Sequence, residues 1–458
     1  MSPRVPNVFR GSREIRLSSV FSPITLAVFL YVPLLLLYVV SSKSVFALDF
    51  QSRKTLSWTG MAYYTLALLL FAVGAKVGGD ALRARWAARP SQPVERELTP
   101  SQRRSFAVLL ETALFLCIGA YVIWFTHGVV RAGGVTQLFN IWRDDPHRVK
   151  EQILTTLPGI TTLTQLAVAA VPLVIAFKLF RRGTPMRVLV IVVLLLGAAR
   201  SVFYSERLAL IELVVPIVFL VLAPRRVTVP RVVIYALAFL VAAMVFFSIT
   251  ELRRTYVYTH NYSPARSTTR FFGYYITSIN NGMAVIDNYP ARTPFYSTGE
   301  FLWLFPGVRN LHVDNVPGLG TVTTRYADIF GVDPETFWPP AFSEQGLDYE
   351  FNVFTAPGYL AADFGWAGLI AVFALGVISG RLYRKSEVST FHRALYAVWL
   401  VGLFEFMRIL YFASTRVFPA YLVFLAAFLV LRQPAAAASS RGLRIAAQRR
   451  LPLGGTDG

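Results

Sequence analysis

Long apolar runs recur along this 458-residue chain, and they leave few architectures open. About ten of them approach the ~20 residues a helix needs to cross a bilayer core. They are Phe21–Val40, Trp58–Val77, Phe106–Val129, Ile160–Phe180, Val188–Val202, Leu208–Leu222, Val232–Ile249, Phe364–Gly380, Ala394–Phe412 and Val417–Leu431. Within lipid each backbone N–H and C=O has to be satisfied inside its own segment, so such runs fold as helices. Only 15% of the residues are charged, against roughly 25% in soluble domains. One very large soluble core would not divide its apolar residues into runs of this length. The expected fold is an all-α, polytopic membrane protein of about ten transmembrane helices.

The loops between these runs orient them. "ALRARWAARPSQPVERELTPSQRR", "KLFRRGTPMR", "APRRVTVPR", "GRLYRKSEVSTFHR" and the tail "SSRGLRIAAQRR" are strongly basic, and alternation puts all five on one side. Cytoplasmic loops collect Lys and Arg, so both termini are expected in the cytoplasm. The first run follows Arg4, Arg10, Arg13 and Arg16, and Val45-Phe46-Ala47 would pass as a signal-peptide cleavage site. The run is longer than a signal peptide's apolar region, which favours a retained anchor. The net charge of +20 suits membrane lipids with anionic headgroups. The basic residues are dispersed among loops, a poor match to nucleic acid. Cys117 is the single cysteine, so an intrachain disulfide and a Cys-built metal site are excluded. The five His are scattered without metal-binding spacing, and no P-loop is present, so no cofactor is expected. "RDDPH", Arg143–His147, could ligate a divalent cation, but adjacent Asp residues there read better as a solvated turn.

The chain thus divides into helices 1–7 (residues 1–249), a large loop (250–363), helices 8–10 (364–432) and a basic cytoplasmic tail (433–458). Structureless loops on the order of a hundred residues are uncommon in compact domains. This one holds Trp303, Trp338 and many Tyr and Phe, and reads as an ordered extracytoplasmic cap between helices 7 and 8. Its segment "STTRFFGYYITSINNGMAVIDNYP" has a helical period, with an apolar stripe of Phe272, Ile276, Ile279, Met283 and Ile286 closed by Pro290. The opposite face carries Arg270, Thr277, Asn280 and Asn281. "GEFLWLFPG" reads as an interfacial segment with an aromatic anchor.

Ionisable residues at membrane depth are functional candidates. Arg200, Glu206 and Arg207 fall in the turn between the fifth and sixth spans, and Glu251, Arg253 and Arg254 follow the seventh. Glu405 and Arg408 lie in the ninth span and Arg416 at its outer turn. Arginines on the outer side run against the positive-inside pattern. An anionic ligand would account for them, since guanidinium groups bind phosphate oxygens bidentately. The competing reading is intramembrane ion pairing, with Glu405 and Arg408 neighbours on one helix face, or snorkelling to headgroups. The aromatic and amide content of the cap suits sugars, although much of it can equally build the cap's own core. A general base could be Glu206, His260, Glu405 or Asp363, by position. Asp363 could instead cap the eighth helix.

The segment "FNVFTAPGYLAADFGWAGLIAVFALGVISGRLYRK" contains Asp-Phe-Gly, yet no other part of a protein kinase is present. It resembles the oligosaccharide repeat unit polymerases (Wzy-type O-antigen polymerases). In those an Asn and a Thr precede a short aromatic and proline region, Asp-Phe-Gly, a further Gly and an apolar helix. The matching positions are Asn352, Thr355, Pro357, Tyr359, Asp363, Phe364, Gly365 and Gly368, and "RSVFYSERLALIEL" is similar to the family's outward turn. "RNLHVDNVPGLG", with Arg309 and Gly320, has an arginine-to-glycine spacing that is common by chance in Gly-rich loops.

The resemblance implies a glycosyltransferase on the outer face of the bacterial cytoplasmic membrane. Such an enzyme moves a growing glycan from its undecaprenyl diphosphate carrier onto an incoming lipid-linked repeat unit, making O-antigen, capsule or exopolysaccharide. The lipid-linked oligosaccharide would be its partner, with a possible chain-length regulator and no nucleotide. Arg200, Arg207, Arg254 and Arg408 would stabilise the departing diphosphate, with Glu206 and Glu405 in acid–base roles. Arg253, His260, Arg270, Asn280, Asn281, Asn352, Thr355, Tyr359, Asp363 and Arg416 would line the substrate site. A ligase transferring finished glycan shares this topology. A flippase for lipid-linked sugars is the more distant alternative, because transporters place polar groups on broken helices at mid-membrane.

Overall fold

The structure, a computed structural model, describes residues 14–50, 52–87, 98–144, 148–155, 157, 159–180, 184–203, 207–228, 230–235, 237–238, 241, 264–299, 334–347 and 353–432. They are predominantly helical. In chain order the main helices are α1 (Pro23–Val40), α2 (Lys43–Asp49), α3 (Trp58–Ala87), α4 (Pro100–Ala132), α5 (Val135–Asp144), α6 (Ile160–Ala176) and α7 (Pro185–Phe203). There follow α8 (Arg207–Leu222), α9 (Pro264–Asn288), α10 (Pro334–Glu344), α11 (Ala356–Phe364), α12 (Gly368–Val388), α13 (Thr390–Phe404) and α14 (Phe418–Arg432). Among the described residues five segments are long and apolar enough to cross a membrane: α1, α3, α4, α7 and the stretch Ala356–Val388. Four shorter apolar helices accompany them, Ile160–Ala176, Leu208–Leu222, Thr390–Phe404 and Phe418–Arg432. The expected seventh span, Val232–Ile249, lies mostly outside the described residues.

Helix boundaries follow local chemistry. Ser22 caps α1 ahead of Pro23. Thr99 and Gln102 form a reciprocal capping box at the start of α4, with Pro100 at its first position, so two otherwise orphaned N–H groups are satisfied. Gly133 ends α4 in the left-handed region at φ 82°. A short antiparallel ribbon, β1 (Glu14–Arg16) with β2 (Arg226–Thr228), closes one end of the bundle. Arg103, Arg104, Arg225, Arg226, Arg381 and Arg432 are exposed. Gln102 Nε2 donates to the Leu431 carbonyl at 3.3 Å, tying α4 to α14.

The packing core runs through α1, α3, α12 and α13. Tyr31 of α1 is fully buried and donates to the Leu403 carbonyl at 2.6 Å. Its ring stacks on Phe406 with centroids 5.0 Å apart. α3 and α12 cross on glycines from both sides, Gly74 and Gly78 against Gly376 and Gly380, where any added Cβ would strike the opposing backbone. Small residues allow such close approach of helices in lipid.

Two expected spans differ from the sequence reading. The eighth, Phe364–Gly380, begins as a helix only at Gly368 and runs on to Val388 as α12, with the short α11 before it joined through a 3₁₀ turn at Gly365–Ala367. Gly365 takes φ 58° there, a conformation costly for any residue with a Cβ. α12 begins without a side-chain cap, so Asp363 does not cap it. The ninth, Ala394–Phe412, stops as a helix at Phe404. The chain folds back instead, with Phe412 against Gly402 and its ring tilted against Trp399, centroids 4.3 Å apart. Aromatic packing across the helix end outweighs the helix preference of an apolar run.

The periodic segment of the large loop forms α9, with Ile276, Ile279, Met283 and Ile286 buried as its stripe requires. Its polar face is buried as well: Thr277, Asn280 and Asn281 are each about as inaccessible as the stripe. Among the described aromatics of this region, Trp338, Phe342 and Phe354 are enclosed by Tyr289, Phe337 and Tyr359 in a separate small core.

Candidate functional site

The segment after α13 carries the most concentrated buried charge among the described residues. Glu405 and Arg408 lie in a turn, not on a helix face, and pair across it with Arg408 Nη1 to Glu405 Oε2 at 2.7 Å. Glu405 is 1% exposed and Arg408 23%. The Arg408 guanidinium sits over the Tyr274 ring of α9 at 5.5 Å. Its Nε is buried without a hydrogen-bond partner among the described residues. The same turn is tied to α11, because Ala356 N donates to the Phe406 carbonyl at 2.9 Å.

Farther along, Arg416 forms a two-point ion pair with Glu212 of α8, through Nε to Oε1 and through Nη2 to Oε2 at 2.7 Å. Tyr411 donates to Glu212 Oε1 at 3.0 Å. Arg200, in the last turn of α7, is 5% exposed and within electrostatic range of Glu212. Its Nη1 donates to Thr164 Oγ1 at 2.6 Å, and its guanidinium lies 5.2 Å from the Trp124 ring. Thr164 opens a 3₁₀ turn inside α6, which turns its hydroxyl toward Arg200. Glu405 is within electrostatic range of Glu212, so the two arginine–glutamate units form one neighbourhood. Among the described residues the grouping brings together three guanidinium groups, one buried and two part-buried, and two buried carboxylates.

The expected residues are thus partly gathered. Arg200, Glu405, Arg408 and Arg416 come together around α7, α8 and the 405–417 segment. Thr355 stands close by: it caps α11 through Gly358 N at 3.1 Å, and its hydroxyl is 2.5 Å from Tyr64 Oη. Tyr359 packs on Phe354 at 4.1 Å, within the small aromatic core.

Three others have their polar atoms engaged inside the protein. Asn280 Oδ1 accepts from Thr55 N, Thr55 Oγ1 and Tyr38 Oη at 2.7, 3.0 and 3.1 Å, and its amide donates to the Arg53 carbonyl at 2.9 Å. Asn281 donates to the Val353 carbonyl at 3.2 Å. Asp363 accepts from Ser297 N, Thr298 N and Thr298 Oγ1 at 3.1, 2.8 and 3.0 Å, holding the 290–299 turn. Asn280 therefore fastens the 53–55 segment to α9. Replacing it with Ala strands several buried partners, at about 1–3 kcal/mol each. An Asn280→Ala protein is expected to unfold at clearly lower temperature, as read by intrinsic fluorescence in detergent.

Arg207 and Arg270 fall in α8 and α9, without described side chains. Glu206, Arg253, Arg254, His260 and Asn352 lie outside the described residues, as do Arg309 and Gly320. Arg143 and Asp144 make an exposed pair at 2.9 Å, and the rest of that motif is outside the described residues.

Glu212 and Tyr411 were not anticipated. The signal for Glu212 was present, an acidic residue inside the apolar run "RLALIELVVPIVFLVL". Tyr411 gave none, because it reads as one more aromatic in an apolar stretch. The chain matches no protein-family model, no curated protein and no solved structure.

Proposed function

We propose that this protein is a membrane glycosyltransferase that polymerises oligosaccharide repeat units carried on undecaprenyl diphosphate into a cell-surface polysaccharide. In this reading the chain crosses the membrane about ten times with both termini in the cytoplasm, each span near the ~20 residues required. Residues 250–363 cover the outer face, and the acceptor and donor are both lipid-linked.

The observation that supports it is the grouping of buried Arg200 and part-buried Arg408 and Arg416 with the buried carboxylates Glu212 and Glu405 among the described residues. Loss of a glycan from its carrier leaves negative charge on a diphosphate, and fixed guanidinium groups stabilise such charge best where water is excluded. No nucleotide is needed, since the glycosyl–diphosphate bond is the activated linkage. The order of polar and glycine residues from Thr355 to Gly368 adds the family resemblance.

The test is reconstitution with a lipid-diphosphate-linked oligosaccharide, scored by the size of the lipid-linked products. The expected result is a ladder that is lost in Arg200→Ala and Arg408→Ala proteins of unchanged elution profile. Transfer of a single unit without a ladder would favour a ligase. Substrate crossing the bilayer with no transfer would overturn the reading.

A further inference from the structure

The β ribbon sets two arginines against each other. β1 and β2 run antiparallel in a register that puts Arg16 directly opposite Arg226, with Ile15 opposite Val227. Side chains alternate between the two faces of a strand. Val227 is buried while Arg16 and Arg226 are both exposed, so the two guanidinium groups share the outer face. Opposed positions hold their Cβ atoms about 5 Å apart, and like charges there are destabilising. A ribbon of 3 residues a side has little stability of its own to set against that repulsion.

The backbone that carries the pair is nonetheless anchored. Leu17 N, next to β1, donates to the Arg225 carbonyl, next to β2, at 3.0 Å. A few residues on, Phe21 begins a chain of rings through Phe219, Tyr396 and Tyr383, with successive centroids 5.6, 5.4 and 5.5 Å apart. Tyr396 Oη donates to the Phe21 carbonyl at 2.6 Å. Neither Arg16 nor Arg226 has a carboxylate partner among the described residues. More positive charge adjoins them. Ser18 lies against Tyr383, whose ring has the Arg384 guanidinium 5.5 Å from its centroid and Arg83 of α3 within electrostatic range. Arg384 is paired with Glu387 at 3.0 Å.

Depth decides which anion meets the pair. β1 leads through Ser22 into α1, a segment long and apolar enough to cross a membrane, and β2 follows the apolar helix that ends at Leu222. The ribbon therefore stands where apolar helices meet the polar boundary, the level of lipid phosphates. Anionic lipids attract basic residues placed there, and a guanidinium fork matches phosphate oxygens.

We propose that Arg16 and Arg226 form a clamp for the phosphate of an anionic phospholipid, which relieves their repulsion and fastens the segment before α1 to the end of α8. The clamp stands whatever reaction the protein catalyses.

The experiment follows thermal unfolding of the full chain by tryptophan emission in neutral detergent, with short-chain phosphatidylglycerol or phosphatidylcholine added. Phosphatidylglycerol is expected to raise the unfolding temperature, because a ligand of the folded state stabilises it by mass action. Phosphatidylcholine, whose phosphate carries its own counter-charge, should not. Arg16→Gln and Arg226→Gln are each expected to need about fivefold more phosphatidylglycerol for half the effect. Without that lipid, both should unfold at the parent's temperature or above it, since the opposed charges are gone. A residue needed only for folding would lower the unfolding temperature in both conditions, and that result overturns the clamp. Arg103→Gln, at an exposed arginine of α4, is expected to respond as the parent does. A loss there equal to that of Arg16→Gln would mean diffuse attraction to surface charge and overturns the clamp too. The same stabilisation by inorganic phosphate at equal concentration overturns the lipid as occupant. The two arginines lie on separate strands, so if one variant does not fold the other still decides.

Discussion

An Arg416→Ala protein is expected to be destabilised by about 3–5 kcal/mol, the usual cost of removing one partner of a buried ion pair. The cause is the carboxylate left behind. Glu212 is 2% exposed, and without Arg416 its remaining described hydrogen-bond donor is Tyr411. Arg200 is in electrostatic range but directs Nη1 to Thr164. Neutralising both partners should behave differently, because a buried pair replaced by uncharged residues of similar volume is often neutral in stability. Glu212→Gln with Arg416→Met is therefore expected to recover most of the lost unfolding temperature while binding no diphosphate. That contrast separates the arginine's contribution to folding from its contribution to the ligand. Thermal unfolding monitored by tryptophan emission would check it. An Arg416→Ala protein as stable as the parent would mean that Glu212 is not held as a buried carboxylate.

What the sequence revealed, and what it hid, follows from the range of the interactions involved. The apolar runs of α1, α3, α4 and α7 are local signals, and those helices appear within a few residues of their expected bounds, although α3 continues past Val77 to Ala87. The stripe of α9 was equally legible, being a 3.6-residue period. Its polar face was not. Asn280 looked available to a ligand because nothing nearby in sequence satisfies it, whereas its partners Thr55, Arg53 and Tyr38 lie more than two hundred positions away. The break after Phe404 was hidden for the same reason. Apart from Glu405 and Arg408 the run stays apolar to Phe412, and it is Gly402 and Trp399, already inside the helix, that make room for the chain to return. The arginines were found by their conflict with topology, a one-dimensional pattern. Glu212, their counter-charge, required the third dimension to connect it with Arg416.

The second large effect concerns the crossing of α3 and α12, which owes nothing to charge. Gly376→Leu is expected to abolish recovery of folded protein. A Cβ at position 376 would collide with the Phe71 carbonyl and lie 3.1 Å from Ala75 N, contacts made by backbone that cannot rotate away. The same holds in reverse at Gly74, where a Cβ would meet the Phe373 carbonyl and lie 3.1 Å from Val377 N. Filling a tight site with a single methyl commonly costs about 1–3 kcal/mol, so Gly376→Ala should survive weakened and Gly376→Leu should not. Lipid supplies no hydrophobic force to press these helices together, and their association depends on close van der Waals contact over the whole crossing. A shift large enough to admit an isobutyl group would part Gly380 from Ala75 as well as Gly376 from Phe71. Gly119 provides the control: it is exposed on α4, and nothing lies within 4 Å of a Cβ placed there. Gly119→Leu is expected to leave recovery and unfolding temperature unchanged or raised, since leucine favours a helix over glycine by close to 1 kcal/mol. Size-exclusion profiles of the three variants after a graded heat challenge decide the matter. Equal survival of Gly376→Leu and Gly119→Leu would show that the two helices do not cross where their glycines meet.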